Sequence, residues 1–150
     1  MAVVLLAWAL AGSGCRTPQG PASDSLAAVE IKGCGPLEIA RSLSDVFEKA
    51  GYSPVALPPN RGEKMLFEKE GNVGETVLYG DWNAKRVWYR VRIQMNLGGP
   101  DSELVTCNAF RVLNHGDPHF EEEQRLSRLR AGAYQHLLNL AKARLNPAPK

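Results

Sequence analysis

Nine residues, "HGDPHFEEE", gather more metal-ligand chemistry than any other stretch of the chain: His115, Asp117, His119, Glu121, Glu122 and Glu123. Zinc held on a helix needs two histidines one turn apart, with a glutamate beside the first. Here Pro118 stands between the histidines. Asp117 before Pro118 reads as a helix cap followed by a first-turn proline. The three glutamates then lie where the helix dipole favours negative charge. Capping accounts for the acids, so neither a metal nor another cofactor is expected.

A second pattern is basic and aromatic. Arg86, Trp88, Arg90 and Arg92 recur at every second position, with Lys85 beside them and Trp82 upstream. On a strand they share one face. Guanidinium groups pair with phosphates and stack on indoles, so this face is a candidate binding surface for a polyanion. A solvated sheet face gives the same alternation. Trp88 between arginines also suits a protein interface.

Catalytic signals are weak. No serine sits in a Gly-x-Ser-x-Gly elbow. There is no phosphate-cradling glycine loop and no convincing pair of carboxylates. Cys34 precedes a helix start, but beside a second cysteine in an oxidising compartment it reads as a structural half-cystine rather than a nucleophile. No enzyme is expected.

The elements that must position these residues form one domain over residues 27–146, with 147–150 a frayed tail. A short strand falls near Ala28–Lys32. Gly35-Pro36 opens a helix whose Leu37, Ala40, Leu43, Phe47 and Ala50 make an apolar stripe, and Gly51 ends it. Three prolines stiffen the connector over residues 52–63. Four strands are predicted next, at Lys64–Glu70, Glu75–Trp82, Arg86–Leu97 and Glu103–Leu113. In the third, Val87, Tyr89, Val91, Ile93 and Met95 alternate with the Arg/Trp set. A long helix from Pro118 closes the domain, with Phe120, Leu126, Leu129, Ala133, Leu137, Leu140 and Ala141 inside and Gly132 at a possible kink. The expected fold class is α+β, a two-layer sandwich with a four-stranded antiparallel sheet and two helices on one face.

The N-terminus addresses location. "AVVLLAWALA" is too short to span a bilayer, which takes about 20 residues, but has the length of a signal-peptide core. Gly12, Ser13 and Gly14 lead directly to Cys15. This resembles the bacterial lipoprotein signal, although no basic residue precedes the apolar run and Gly12 stands where the family usually has an aliphatic residue. The resemblance implies a signal peptide over 1–14, lipidation of Cys15 and a mature domain outside the cytoplasm, anchored in the cell envelope. Arg16 is not the aspartate such proteins often carry for inner-membrane retention, so the outer membrane is expected if the cell has two. Residues 15–26, rich in Pro, Gly and Ser, read as the anchored flexible linker.

An exported chain with two further cysteines suggests a Cys34–Cys107 disulfide, worth roughly 4 kcal/mol in the chain-entropy account. With a net charge of +2, the chain does not have the basic excess of a nucleic-acid binder, and no nucleic-acid partner is expected. Two functions stay open. One is a cell-envelope interaction module docking on a larger assembly through an envelope protein partner. The other is a binding module for an anionic or apolar envelope ligand, on the Arg/Trp sheet face or in the sheet–helix interior.

Overall fold

A computed structural model describes residues 24–57, 65–79 and 86–146. The elements in chain order are β1 (Ala27–Lys32), α1 (Pro36–Lys49), β2 (Ser53–Val55), β3 (Met65–Glu70), α2 (Val73–Tyr79), β4 (Trp88–Gly99), β5 (Ser102–Leu113), β6 (Glu122–Arg125) and α3 (Ala131–Leu145). A 3₁₀ turn over Arg128–Arg130 leads into α3.

The fold class is α+β, but among the described residues the sheet has six antiparallel strands rather than four, and there are three α-helices rather than two. The order is β1-β5-β4-β3-β2, with β6 also on β5. The added strands lie at two places: β2, in the stretch expected as a stiff connector, pairs with β3, and β1 and β6 both pair with β5. The 12 residues of β5 are long enough to serve two short strands on one edge. β1 pairs with Ser102–Cys107, and β6 pairs with Phe110–Leu113.

Two predicted elements change type. The stretch predicted as a strand at Glu75–Trp82 contains helix α2 at Val73–Tyr79. Asn72 Oδ1 accepts from the Glu75 N–H at 2.8 Å, and Glu75 Oε2 accepts from the Asn72 N–H at 3.0 Å. This reciprocal cap satisfies first-turn donors and outweighs the strand preference of Thr76 and Val77. The long helix predicted from Pro118 does not form. Asp117 Oδ1 accepts from the N–H groups of His119 and Phe120, which makes a turn instead. The next residues add β6 to the sheet, and α3 begins only at Ala131. Its buried residues are Tyr134, Leu138 and Ala141, while Phe120, Leu129 and Leu140 of the predicted stripe are exposed.

The core lies between the sheet and helices α1 and α3. Ile31, Phe67, Val91, Ile93, Val105 and Cys107 face Ile39, Leu43, Val46 and Phe47 of α1 and Leu138 and Ala141 of α3. Phe47 stacks on Phe67 at 4.9 Å between ring centroids. α1 forms where its spacing predicts. Pro36 occupies the first turn and the Glu38 carboxylate accepts from the Gly35 N–H at 3.2 Å. Lys69 Nζ donates to the Ala50 carbonyl at 2.7 Å and closes the other end, beside Gly51 with φ +87. Buried Ser42 donates to the Ala141 carbonyl at 2.9 Å and ties α1 to α3.

Cys34 and Cys107 are free thiols, which corrects the expected disulfide. Register explains it. Cys107 lies opposite Ala27, whereas Lys32, two residues before Cys34, lies opposite Ser102. Five strand positions separate the two levels by about 17 Å, beyond the roughly 7 Å limit between bridged Cα atoms. Just before β1, the Leu26 N–H donates to the Cys107 carbonyl at 3.0 Å. No helix among the described residues is long and apolar enough to cross a membrane.

Candidate functional site

The Arg/Trp alternation is real. Val87, Tyr89, Val91 and Ile93 are buried, Val91 and Ile93 in the core under the helices, and Trp88, Arg90 and Arg92 lie on the opposite face. The structure brings Arg86, Trp88, Arg90 and Arg92 together, but in company the sequence does not announce. Arg90 Nε donates to Glu68 Oε1 at 2.6 Å, and its Nη1 reaches Glu121 Oε1 at 2.7 Å and also Glu123. Arg92 Nη2 donates to Glu123 Oε2 at 2.7 Å and lies over the Phe110 ring. Arg86 pairs with Glu70. Trp88 stacks flat on His115 at 4.3 Å, and His115 Nε2 lies 2.9 Å from Glu68 Oε2. Arg86, Arg90 and Arg92 thus face four carboxylates, Glu68, Glu70, Glu121 and Glu123. The face is a closed polar network without excess positive charge, poorly suited to a polyanion. Trp82 of the proposed face and the lipidation site Cys15 lie outside the described residues.

Of the "HGDPHFEEE" residues, His115, Glu121 and Glu123 join the same network, while Asp117 caps its own turn and Glu122 accepts from the Gln124 side chain. The Glu121 carboxylate accepts from Arg90 and from the Gly116 N–H, so the loop is drawn over the outer face. Burial pushes the Glu121 carboxyl up, but Arg90 and the Gly116 N–H hold it, on balance, below its ordinary value. Among the described residues, no group of three or more His, Cys, Asp or Glu side chains is arranged to hold a metal.

The helix side of the sheet holds a different arrangement. A cleft of about 350 Å³ is walled by Tyr52, Tyr89 and Tyr134, with Leu137 and Ala133 of α3 along one side. Lys69, Glu70, Asn72, Glu75 and Arg130 supply its polar rim. Tyr89 stands opposite Lys69 in the β3–β4 register. Tyr52 follows α1, packs edge-on against Phe47 and donates to the Tyr134 hydroxyl at 3.3 Å. Lys69 Nζ lies 5.4 Å from the centre of the Tyr52 ring. The Tyr89 hydroxyl hydrogen-bonds to Glu75 on α2. Burial, then the Glu75 carboxylate, pushes its phenol up to about 12. Burial also raises Tyr52 and Tyr134, so all three phenols are neutral donors at physiological pH. Arg130 reaches Glu75 at 3.8 Å across the mouth.

Sequence reasoning passes over these residues. Tyr89 falls on the inward side of an alternating strand and reads there as plain core. The available signal is its hydroxyl, since a buried phenol needs a partner. Chemically, the cleft offers aromatic walls, the Tyr134 hydroxyl as a donor, and a rim of mixed charge, with Lys69 and Arg130 beside Glu70 and Glu75. It offers no activated nucleophile. Cys107 is buried in the core, and burial pushes its thiol up to about 12.

No protein-family model matches the chain, and no curated protein matches it in sequence. A solved structure of the adenylate sensor from AMP-activated protein kinase, in complex with 5-aminoimidazole-4-carboxamide 1-beta-D-ribofuranotide, is similar over 76% of this chain and 93% of its own. The identity is 12% and the TM-score 0.45, a likeness too slight to bear on fold or ligand.

Proposed function

We propose that the chain is a lipid-tethered, non-enzymatic binding module of the cell envelope whose ligand site is the cleft walled by Tyr52, Tyr89 and Tyr134. The single observation that carries this reading is the cleft itself: a recess of about 350 Å³ where three separate chain segments converge their phenols. That volume suits a small molecule, and mostly apolar walls with a few fixed donors are the usual make-up of such sites. The ligand has a flat or chain-like apolar body and at least one hydrogen-bond acceptor. The outer Arg/Trp face is the weaker candidate, because carboxylates already occupy its guanidinium groups. The tether rests on the "GSGC" signal at Cys15.

The test uses the full-length chain in an uncharged maltoside detergent and a neutral aromatic probe, 1-naphthol. Ala133 is exposed on α3 and lines the cleft, so Ala133→Trp fills the cleft without entering the core. Saturable naphthol binding lost in Ala133→Trp is the expected result. Equal uptake by both proteins sinks the reading.

A second reading, docking on a larger envelope assembly, is favoured by α2. Its Val73, Val77 and Leu78 are 82%, 78% and 74% exposed, apolar surface that folding leaves in water.

A further inference from the structure

Three phenols wall the tyrosine cleft, and two of their protons are committed inside the protein. The Tyr89 hydroxyl gives its proton to the Glu75 carboxylate. The Tyr52 hydroxyl gives its proton to the Tyr134 oxygen at 3.3 Å. The Tyr134 proton has no acceptor among the described residues, although Tyr134 is only 6% exposed. A phenol buried to this degree ordinarily finds a partner. Tyr134 therefore brings one unused donor to the cleft wall, and Tyr52 positions it by holding the same oxygen from the other side.

The charges at the rim are committed as well. Glu75 accepts from Tyr89 and from the Asn72 N–H, and it faces Arg130 at 3.8 Å. Glu70 pairs with Arg86. Lys69 Nζ donates to the Ala50 carbonyl at the C-terminal end of α1, where the helix dipole favours a cation. An anion entering the cleft meets the Glu75 carboxylate beside Tyr89. A cation meets Lys69, already 5.4 Å from the centre of the Tyr52 ring. Either ion leaves water without a partner of opposite charge reserved for it, which is unfavourable. An uncharged molecule avoids both conflicts.

We infer that the cleft selects an uncharged, flat molecule with an acceptor atom, such as a ring nitrogen or a carbonyl oxygen, and that the Tyr134 hydroxyl is the donor that recognises it. This inference rests on the cleft being the ligand site. It makes Tyr134 the residue that sets specificity and Tyr52 a positioning residue.

The experiment titrates the full-length chain in maltoside, at neutral pH, with bicyclic probes of nearly one shape: naphthalene, quinoline, N-methylquinolinium and quinoline-4-carboxylate. Uptake that persists in Ala133→Trp is micelle partitioning and is subtracted. Quinoline, neutral with one ring-nitrogen acceptor, is expected to bind about tenfold more tightly than either ion. Tyr134→Phe is expected to weaken quinoline about three- to tenfold, the effect of one hydrogen bond, and to leave naphthalene unchanged. Unchanged naphthalene binding also shows that the variant folds. The wild-type ranking needs no variant, so the inference can fail even where Tyr134→Phe does not fold. An ion bound as tightly as quinoline overturns the inference and leaves the cleft reading standing. So does quinoline affinity that survives in Tyr134→Phe, or an equal loss of quinoline and naphthalene in the folded variant. Absence of saturable binding by every probe overturns the cleft reading itself.

Discussion

Arg90 donates from Nε to Glu68 Oε1 at 2.6 Å, joining neighbouring strands at the centre of the outer sheet face. Both side chains are nearly buried, at 14% and 10% exposure. Burial works against the Arg90 charge, but Glu121, Glu123 and Glu68 more than offset it and hold the guanidinium protonated. Replacing Arg90 by methionine keeps the bulk and leaves three carboxylates facing one another. Arg90→Met is expected to lose about 3 kcal/mol of unfolding free energy, as for a broken buried pair, measured by urea denaturation. An unchanged midpoint would mean that the network is a surface feature of little consequence.

The same network sets an acid limit. The folded Glu121 carboxyl ionises below its ordinary value of 4.5, so the folded state binds fewer protons there than the unfolded chain. Its contribution to stability is complete above pH 4.5 and is lost as pH falls through the lower, folded value. Denaturation midpoints recorded from pH 7 to pH 3 are expected to fall below this point, and to fall less steeply in Glu121→Gln.

The alkaline limit has the opposite sign. Tyr89 ionises at about 12 in the folded chain, against an ordinary value of 10.0. The folded state therefore holds a proton that the unfolded chain releases. That stabilisation is complete below pH 10 and is lost as pH rises towards 12. Phenolate absorbance is expected to show the tyrosines of the cleft titrating late, together with unfolding. Ionisation of all phenols near pH 10 in a folded chain would contradict the cleft's burial.

An edge strand is guarded in an unusual way. The Gln135 side chain donates to the Ala28 carbonyl at 2.9 Å and accepts from the Ala28 N–H at 3.2 Å. It fills the place of a missing neighbour strand, and Asn146 reaches the Lys32 carbonyl further along. Gln135→Ala is expected to cost about 1–2 kcal/mol and to promote self-association along β1, detected by sedimentation velocity.

In the core, Phe47 is fully buried between Phe67 and Tyr52. Phe47→Ala is expected to destabilise by about 3–5 kcal/mol. Tyr52 loses its edge-on support in the same variant, so probe binding in the cleft should fall as well.

What the sequence discloses depends on whether an element is punctuated locally. α1 has Pro36 at one end, Gly51 at the other and an apolar stripe between, and it forms as expected. β4 alternates from Trp88 to Met95, and its two faces follow. α2 carries a local signal, the Asn72–Glu75 cap, but Thr76 and Val77 argue for a strand and obscure it. Residues 117–130 are harder in principle. Their Glu and Arg spacing suits pairs along a helix, yet Glu121 and Glu123 find Arg90 and Arg92 on a distant strand. Only the open edge of β5 decides that, and edges are tertiary facts. The cleft is opaque for the same reason, since Tyr52, Tyr89 and Tyr134 come from three unrelated segments. Cysteine parity misleads because it carries no information about register.

The cleft is tested most directly by mapping where 1-naphthol changes backbone amide chemical shifts in the isotope-labelled full-length chain. The account expects the largest changes at Tyr52, Tyr89, Ala133 and Tyr134, around the cleft. Changes centred on Trp88, His115 and Gly116 would place the ligand on the outer face and contradict it.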